Sequence, residues 1–283
     1  MRALRTVVVI GMLFSAATLP AFDLGSLDPL KVTDMITKGV KSFSDVPQEK
    51  EIQIGKDLSA SLLGATPLVD DPELQSYVNQ IGRWLAMQTE RPDLPWTFAV
   101  IDTDTVNAFA APGGYVFVTR GLFLMLRNEA ELAGVMGHEI SHVLRRHHLV
   151  AIEKQMRASL ATDVTSVLVD YDSETVDALI GAGMKLYAKG LDREDEFEAD
   201  RMGVVVAARS GYDAYGLPAM LMTLDSRGAS DQNLAFLFST HPPTVDRLAL
   251  LDREMQGRMD QYSGAAGQTK RFLDMQQRLR GDR

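Results

Sequence analysis

A chain of 283 residues with 46% hydrophobic and 24% charged side chains is long enough for one large folded domain and too apolar for wholesale disorder. Lysine and arginine number 29 against 38 acidic residues, and the net charge of −9 argues against nucleic acid as the main partner. Cysteine is absent, which removes disulfides, thiolate metal ligands and cysteine nucleophiles together, and only five histidines are present.

The chain opens Met1-Arg2-Ala3-Leu4-Arg5 and then runs uncharged from Thr6 to Phe22, with an apolar stretch around Val7–Phe14 and small residues at Ser15, Ala16, Ala17 and Ala21. This is the pattern of a secretory signal peptide over residues 1–21, cleaved after Ala17 or Ala21, and it predicts a periplasmic, exported protein. A membrane-spanning helix needs about 20 apolar residues, and Pro20 sits near the end of a shorter run. Removing Arg2 and Arg5 takes the charge to 27 − 38 = −11. With no cysteine after the apolar run, a lipoprotein anchor is not expected. Freedom from thiols suits an oxidising compartment.

Residues 22–46, mixing Gly, Asp, Ser, Lys and Pro, read as a weakly structured lead-in. Apolar spacing predicts helices over 48–63 and 73–88. Trp96–Ile101 and Gly114–Thr119 are rich in β-branched and aromatic residues, with the Pro112-Gly113-Gly114 turn before the second, and predict a small antiparallel sheet. From Asn128 onward the pattern is helical, over 128–147, 150–168, 174–188, 193–209, 216–226, 243–256 and 267–280, with Gly211 stopping the fourth of these. The expected fold is therefore α+β, mainly α, with one domain over 47–260 and a C-terminal helix within 261–283.

The chemistry centres on His138-Glu139-Ile140-Ser141-His142. Histidines at i and i+4 of a helix share a face, so both imidazoles reach one ion, and imidazole suits Zn²⁺. Glu139, beside the first of them, is placed to take a proton from water at such a metal. Leu132, Met136, Ile140 and Val143 make the same helix apolar, and Gly134 and Gly137 permit close packing. Without cysteine, the third ligand is expected to be a carboxylate. Arg193–Gly203 supplies candidates in Glu196 and Asp200, four residues apart on one face: one to bind the metal, the other to orient a ligand histidine.

The combination of His138–His142, Glu196-x-x-x-Asp200 and a later His241-Pro242 resembles family forty-eight of the metallopeptidases, whose members include the CAAX prenyl proteases, the HtpX heat-shock proteases and the BepA and LoiP proteases. The similarity spans about residues 47 to 255. The resemblance implies a gluzincin-type domain holding one zinc ion per subunit. It makes His138, His142 and Glu196 the ligands, Glu139 the general base and Asp200 a partner of a ligand histidine. It also implies that Asn107, Ala108 and Phe109 belong to an edge strand that pairs with an extended substrate. His241 then either stabilises the oxyanion or binds the metal in a resting state. Arg247 either pairs with a site carboxylate or meets the substrate carbonyl. His147 and His148 are expected to cap a helix end rather than bind metal.

HtpX and the prenyl proteases carry several membrane spans, and the BepA type carries a helical-repeat domain after the protease; neither is expected here. A short, soluble, exported member is expected, with amphipathic helices over 149–191 serving either as a lid or as plain core. The function so implied is a zinc endopeptidase for unfolded or misassembled envelope proteins, with peripheral association with the outer membrane or its assembly machinery. The alternative is a latent metalloprotein acting mainly as a periplasmic chaperone or outer-membrane assembly factor.

Overall fold

The computed structural model describes residues 46–160, 173–228, 231–264 and 269–281. The expected signal peptide and all but the last residue of the lead-in lie outside these. Among the described residues no helix is long and apolar enough to cross a membrane.

Helix α1 (Gln48–Ala65) is followed by α2 (Pro72–Ala86), which starts where its sequence says it should. The Asp71 carboxylate accepts hydrogen bonds from the Glu73 and Leu74 amides at 3.0 and 3.1 Å, and Pro72 occupies the first helical position. Leu74, Val78, Ile81 and Leu85 line the buried face of α2, which packs on the sheet. Gly82 permits that contact: a Cβ there would lie 2.1 Å from the Phe98 ring.

The sheet has strands β1 (Thr97–Ile101), β2 (Ala108–Ala111) and β3 (Tyr115–Thr119) in the spatial order β1-β3-β2. Strand alternation sends Phe98, Val100, Val116 and Val118 into the main core and Ala99, Ile101 and Phe117 to a smaller cluster on the other face. The expectation of a purely antiparallel sheet is corrected. The two strands read from the sequence, β1 and β3, run parallel (Thr97 opposite Tyr115, Ile101 opposite Thr119). The segment read as the turn between them contains β2, antiparallel to β3. The reason is connectivity. Gly113 and Gly114, at φ +76° and +102°, close a tight β2–β3 hairpin, while the 102–107 connection carries the chain past the central position to the edge. The returning strand fills the gap parallel to β1.

A short helix α3 (Arg120–Met125) leads to α4 (Glu129–Leu144), every residue of which is buried. Asn128 caps α4 by accepting from the Glu131 amide at 2.9 Å. The sequence predicts one helix over 128–147, but the chain breaks at Arg145–Arg146, where Arg146 takes a left-handed φ of 57°, and α5 (His147–Leu160) starts afresh. Then follow α6 (Ser173–Lys189), α7 (Arg193–Arg209), α8 (Gly216–Arg227), a short α9 (Ala235–Thr240), α10 (Thr244–Met255) and α11 (Thr269–Gly281). Gly211 ends α7 at φ +86°, as expected.

Two glycines set the separation of α4 and α7. A Cβ on Gly203 would stand 2.6 Å from the His138 amide nitrogen, and one on Gly137 would stand 2.7 Å from the Gly203 carbonyl oxygen. From the C-terminal side, α11 places Phe272 against Phe123, with ring centroids 4.9 Å apart. Its Arg271 pairs with the fully buried Glu129 at the start of α4, whose carboxylate also accepts from the Tyr77 and Tyr212 hydroxyls at 2.6 and 2.7 Å.

Candidate metal centre

Because α4 and α7 pack so closely, the histidines of one face the carboxylates of the other. His138 Nε2 and His142 Nε2 approach to 3.0 Å, and each lies 3.6 Å from an oxygen of Glu196. These three residues form one of two described groups whose donor atoms lie within 4.8 Å of one another; the second is His138, Glu139 and His241. The sequence-predicted ligands, base and downstream histidine thus share one locus, with all but His241 fully buried.

The other ring nitrogens are engaged. His138 Nδ1 meets Asp200 Oδ1 at 2.9 Å, and Arg247 grips both oxygens of Asp200, Nε donating at 2.8 Å and Nη2 at 2.5 Å. Of the two partners expected for Arg247, it takes the carboxylate. His142 Nδ1 meets His147 Nδ1 at 2.9 Å, and His147 Nε2 in turn lies 3.3 Å from Glu198, which also pairs with Arg145. His147 begins α5, so its position at a helix end is as expected, but its ring backs a predicted ligand, a contact not read from the sequence. Glu198 is drawn in by these two partners.

A cation fits this donor set. Glu196 Oε2 is buried and accepts no hydrogen bond, while the two converging Nε2 atoms belong to rings whose Nδ1 atoms are already held. The electrostatics agree. Burial opposes ionisation of Glu196, but His241, His138 and His142 together hold its carboxyl well below the usual range. Burial likewise opposes the Asp200 charge, and Arg247 and His138 overcome it. Burial also disfavours a proton on His138, yet its hydrogen bond to Asp200 and the Glu196 carboxylate 3.6 Å away raise its pKa to about 9. Positive charge is therefore stabilised between these carboxylates, whether carried by a proton or by a metal. Glu139 differs: burial lifts its carboxyl to about 7, so it exchanges a proton near neutral pH.

His241 ends α9, with Nδ1 3.2 Å from the Leu237 carbonyl and Nε2 3.7 Å from Glu196. Beside the cluster lies a cleft of about 130 Å³, bounded by Asn107, Ala108 and Phe109, by His148 and Tyr187, and by Glu196 and His241. Ala108 and Phe109 lie on β2, one of the sheet's two edge strands, and Asn107 directly precedes it. One carbonyl of that strand, Ala110, accepts from the Tyr187 hydroxyl at 2.8 Å. Of the 149–191 segment, Leu149, Ile152, Ala182 and Leu186 pack into a core with Leu58, and Leu186, Tyr187 and Leu191 line the cleft. Its residues 161–172 lie outside the described ones.

The sequence model described as Peptidase family M48 matches residues 72–255. The beta-barrel assembly-enhancing protease of Escherichia coli is 34% identical over 244 residues, 83% of this chain and 50% of that protein. The putative beta-barrel assembly-enhancing protease of Vibrio cholerae is 32% identical over 255 residues, 88% of this chain and 52% of that one. The mitochondrial metalloendopeptidase OMA1 of Schizosaccharomyces pombe is 27% identical over 216 residues, 75% of this chain and 63% of the relative. The chain spans about half the length of the two bacterial relatives. A helix-borne histidine pair facing a carboxylate, inside a region that the family model matches and across which these proteases align, leads to one conclusion: the chain belongs to peptidase family M48.

Proposed function

We propose that the protein is a zinc-dependent endopeptidase that cleaves unfolded or misassembled envelope proteins in the periplasm. The observation that carries this reading is the buried, unpartnered Glu196 oxygen facing two converging imidazoles, with Glu139 alongside. His138, His142 and Glu196 would hold the ion, which when bound supplies Lewis acidity at the scissile carbonyl and at the attacking water. Glu139 accepts the proton of that water and returns it to the leaving amine; a carboxyl lifted to about 7 suits both halves of that transfer. Asp200 and Arg247 hold the His138 ring in place. His241, with Nδ1 at a carbonyl and Nε2 toward the centre, serves the developing oxyanion charge in this scheme.

Asn107, Ala108 and Phe109 hold an extended substrate by strand addition along β2, a mode that depends on main-chain hydrogen bonds and so accepts many sequences. The names of the bacterial relatives point to outer-membrane β-barrel assembly as a setting for such substrates. The signal-like N-terminus supports export. Glu139→Gln is expected to keep stoichiometric zinc, measured by atomic absorption, and to lose cleavage of unfolded casein by at least about a hundredfold. Casein cleavage retained by zinc-loaded Glu139→Gln protein would overturn the assignment of the base.

A further inference from the structure

A sheet in the order β1-β3-β2 has two edges, and the protein closes each in a different way. On β1, side chains of α2 take the outer backbone groups. The Val100 amide donates to Gln75 Oε1 at 2.9 Å, the Val100 carbonyl accepts from Gln75 Nε2 at 2.8 Å, and the Phe98 amide donates to Asn79 Oδ1 at 3.0 Å. The Val69 amide also donates to the Val100 carbonyl, and the Asp102 amide to the Pro67 carbonyl. No extended chain can pair along β1 without dislodging α2, whose Leu74, Val78, Ile81 and Leu85 belong to the main core.

The β2 edge is held far more lightly. In an antiparallel pair, residues that exchange hydrogen bonds alternate with residues whose amide and carbonyl point away from the partner strand. The Thr119 amide donates to the Asn107 carbonyl at 3.0 Å, so the register puts Phe109 and Ala111 in the bonded set and turns the backbone of Ala108 and Ala110 outward. An added strand must bond these two residues, yet both are buried. Tyr187 covers the second of them. Its hydroxyl donates to the Ala110 carbonyl at 2.8 Å, and its ring lies against Phe109 with centroids 5.7 Å apart. Burial keeps this phenol protonated and therefore a donor. The hydroxyl stands where the amide nitrogen of an added strand would stand, since each bonds the same outward carbonyl at about 2.9 Å. It holds that place by one hydrogen bond, from the last turn of α6, next to Gly190 at φ +85°.

We propose that Tyr187 is the gate of the substrate edge: an extended chain binds by taking the Ala110 carbonyl from the Tyr187 hydroxyl. The proposal rests on the strand-addition reading and gives it a substrate class. The substrate residues that meet the Ala108 and Ala110 carbonyls, two apart in sequence, must each bring an amide hydrogen, so proline is refused at both.

Kinetics are measured on the zinc-loaded, full mature chain with a peptide spanning a cleavage site mapped in unfolded casein. Tyr187→Phe keeps the ring and removes the competing donor. Its KM is expected to fall about three- to tenfold while kcat changes by less than about twofold. With the wild-type protein, N-methylation of the peptide one residue at a time is expected to raise KM at two positions, two residues apart.

An unchanged or higher KM in Tyr187→Phe overturns the gate, and the N-methyl pattern then decides separately whether strand addition stands. An N-methyl scan without that spacing overturns strand addition, and the gate with it. Should Tyr187→Phe fail to fold, 3-fluorotyrosine at position 187 of zinc-loaded Glu139→Gln protein reports the same exchange. Its fluorine resonance is expected to shift when the peptide saturates the protein, and a resonance that does not move overturns the gate. Absence of any cleavage by zinc-loaded wild type overturns the protease reading itself.

Discussion

Asp200 illustrates how much of this site lies behind the predicted ligands. Its carboxylate is fully buried, shares both oxygens with Arg247 and touches His138 Nδ1, so it fixes which nitrogen of that ring faces the cluster. Partners of this kind typically contribute a factor of 10–100 to metal affinity. Asp200→Asn is therefore expected to weaken zinc binding by about 10–100-fold in competition with a chromophoric chelator; unchanged affinity would mean that Asp200 serves packing alone. The i, i+4 histidines and the i, i+4 acids were legible because helical spacing states which side chains share a face. The partner of Arg247 was not, since a residue one turn into a later helix can meet either a carboxylate or a substrate until the packing of α10 on α7 is known. His147 escaped for a related reason: its contact with His142 depends on the corner between α4 and α5, which no glycine or proline announces.

Among the elements, α4 and α7 matter most, because the site exists only at their spacing. With Gly137 and Gly203 back to back, Gly203→Ala drives a methyl to 2.6 Å from the His138 backbone, a backbone contact that cannot swing aside. Overpacking of this type costs about 1–3 kcal/mol. The expected outcome is a lowered melting temperature together with reduced zinc retention, seen by calorimetry of the metal-loaded and chelated protein. Loss of stability with full zinc affinity would show that Glu196 tolerates a wider helix separation. The longer helices were readable from periodicity, and Gly211 marked the end of one; the short helices 120–125 and 235–240, and the caps at Asp71 and Asn128, were not read from the sequence. Strand direction was not readable. Alternation reveals which residues face the core, whereas the parallel pairing of β1 and β3 follows from a non-local choice, the passage of residues 102–107 to the sheet edge.

For the molecule as a whole, the buried imidazole of His148 carries a consequence for acid stability. Burial, aided by neighbouring His147, pushes it down from 6.5 to about 3, so the folded chain keeps it neutral while the unfolded chain takes up a proton below its ordinary value. The stability that depends on a neutral His148 is fully present above pH 6.5 and is lost as pH falls toward 3. Urea midpoints measured across that range are expected to fall less steeply in His148→Leu than in wild type; parallel curves would show the ring to be solvated. A second consequence belongs to Glu51. This buried carboxylate on α1 takes both nitrogens of Arg91, pairs with Arg146 at its left-handed corner, and accepts from the Gly113 amide in the hairpin turn. One side chain thus joins the end of the helix that carries His138 and His142 to the turn that follows β2. Native-state hydrogen exchange is expected to label residues 112–114 and 145–147 as one cooperative unit that opens when α1 lifts away. Under the proposed function, loss of grip on the ion and loss of grip on an incoming chain would then be a single event, and a damaged copy would disarm itself in one step.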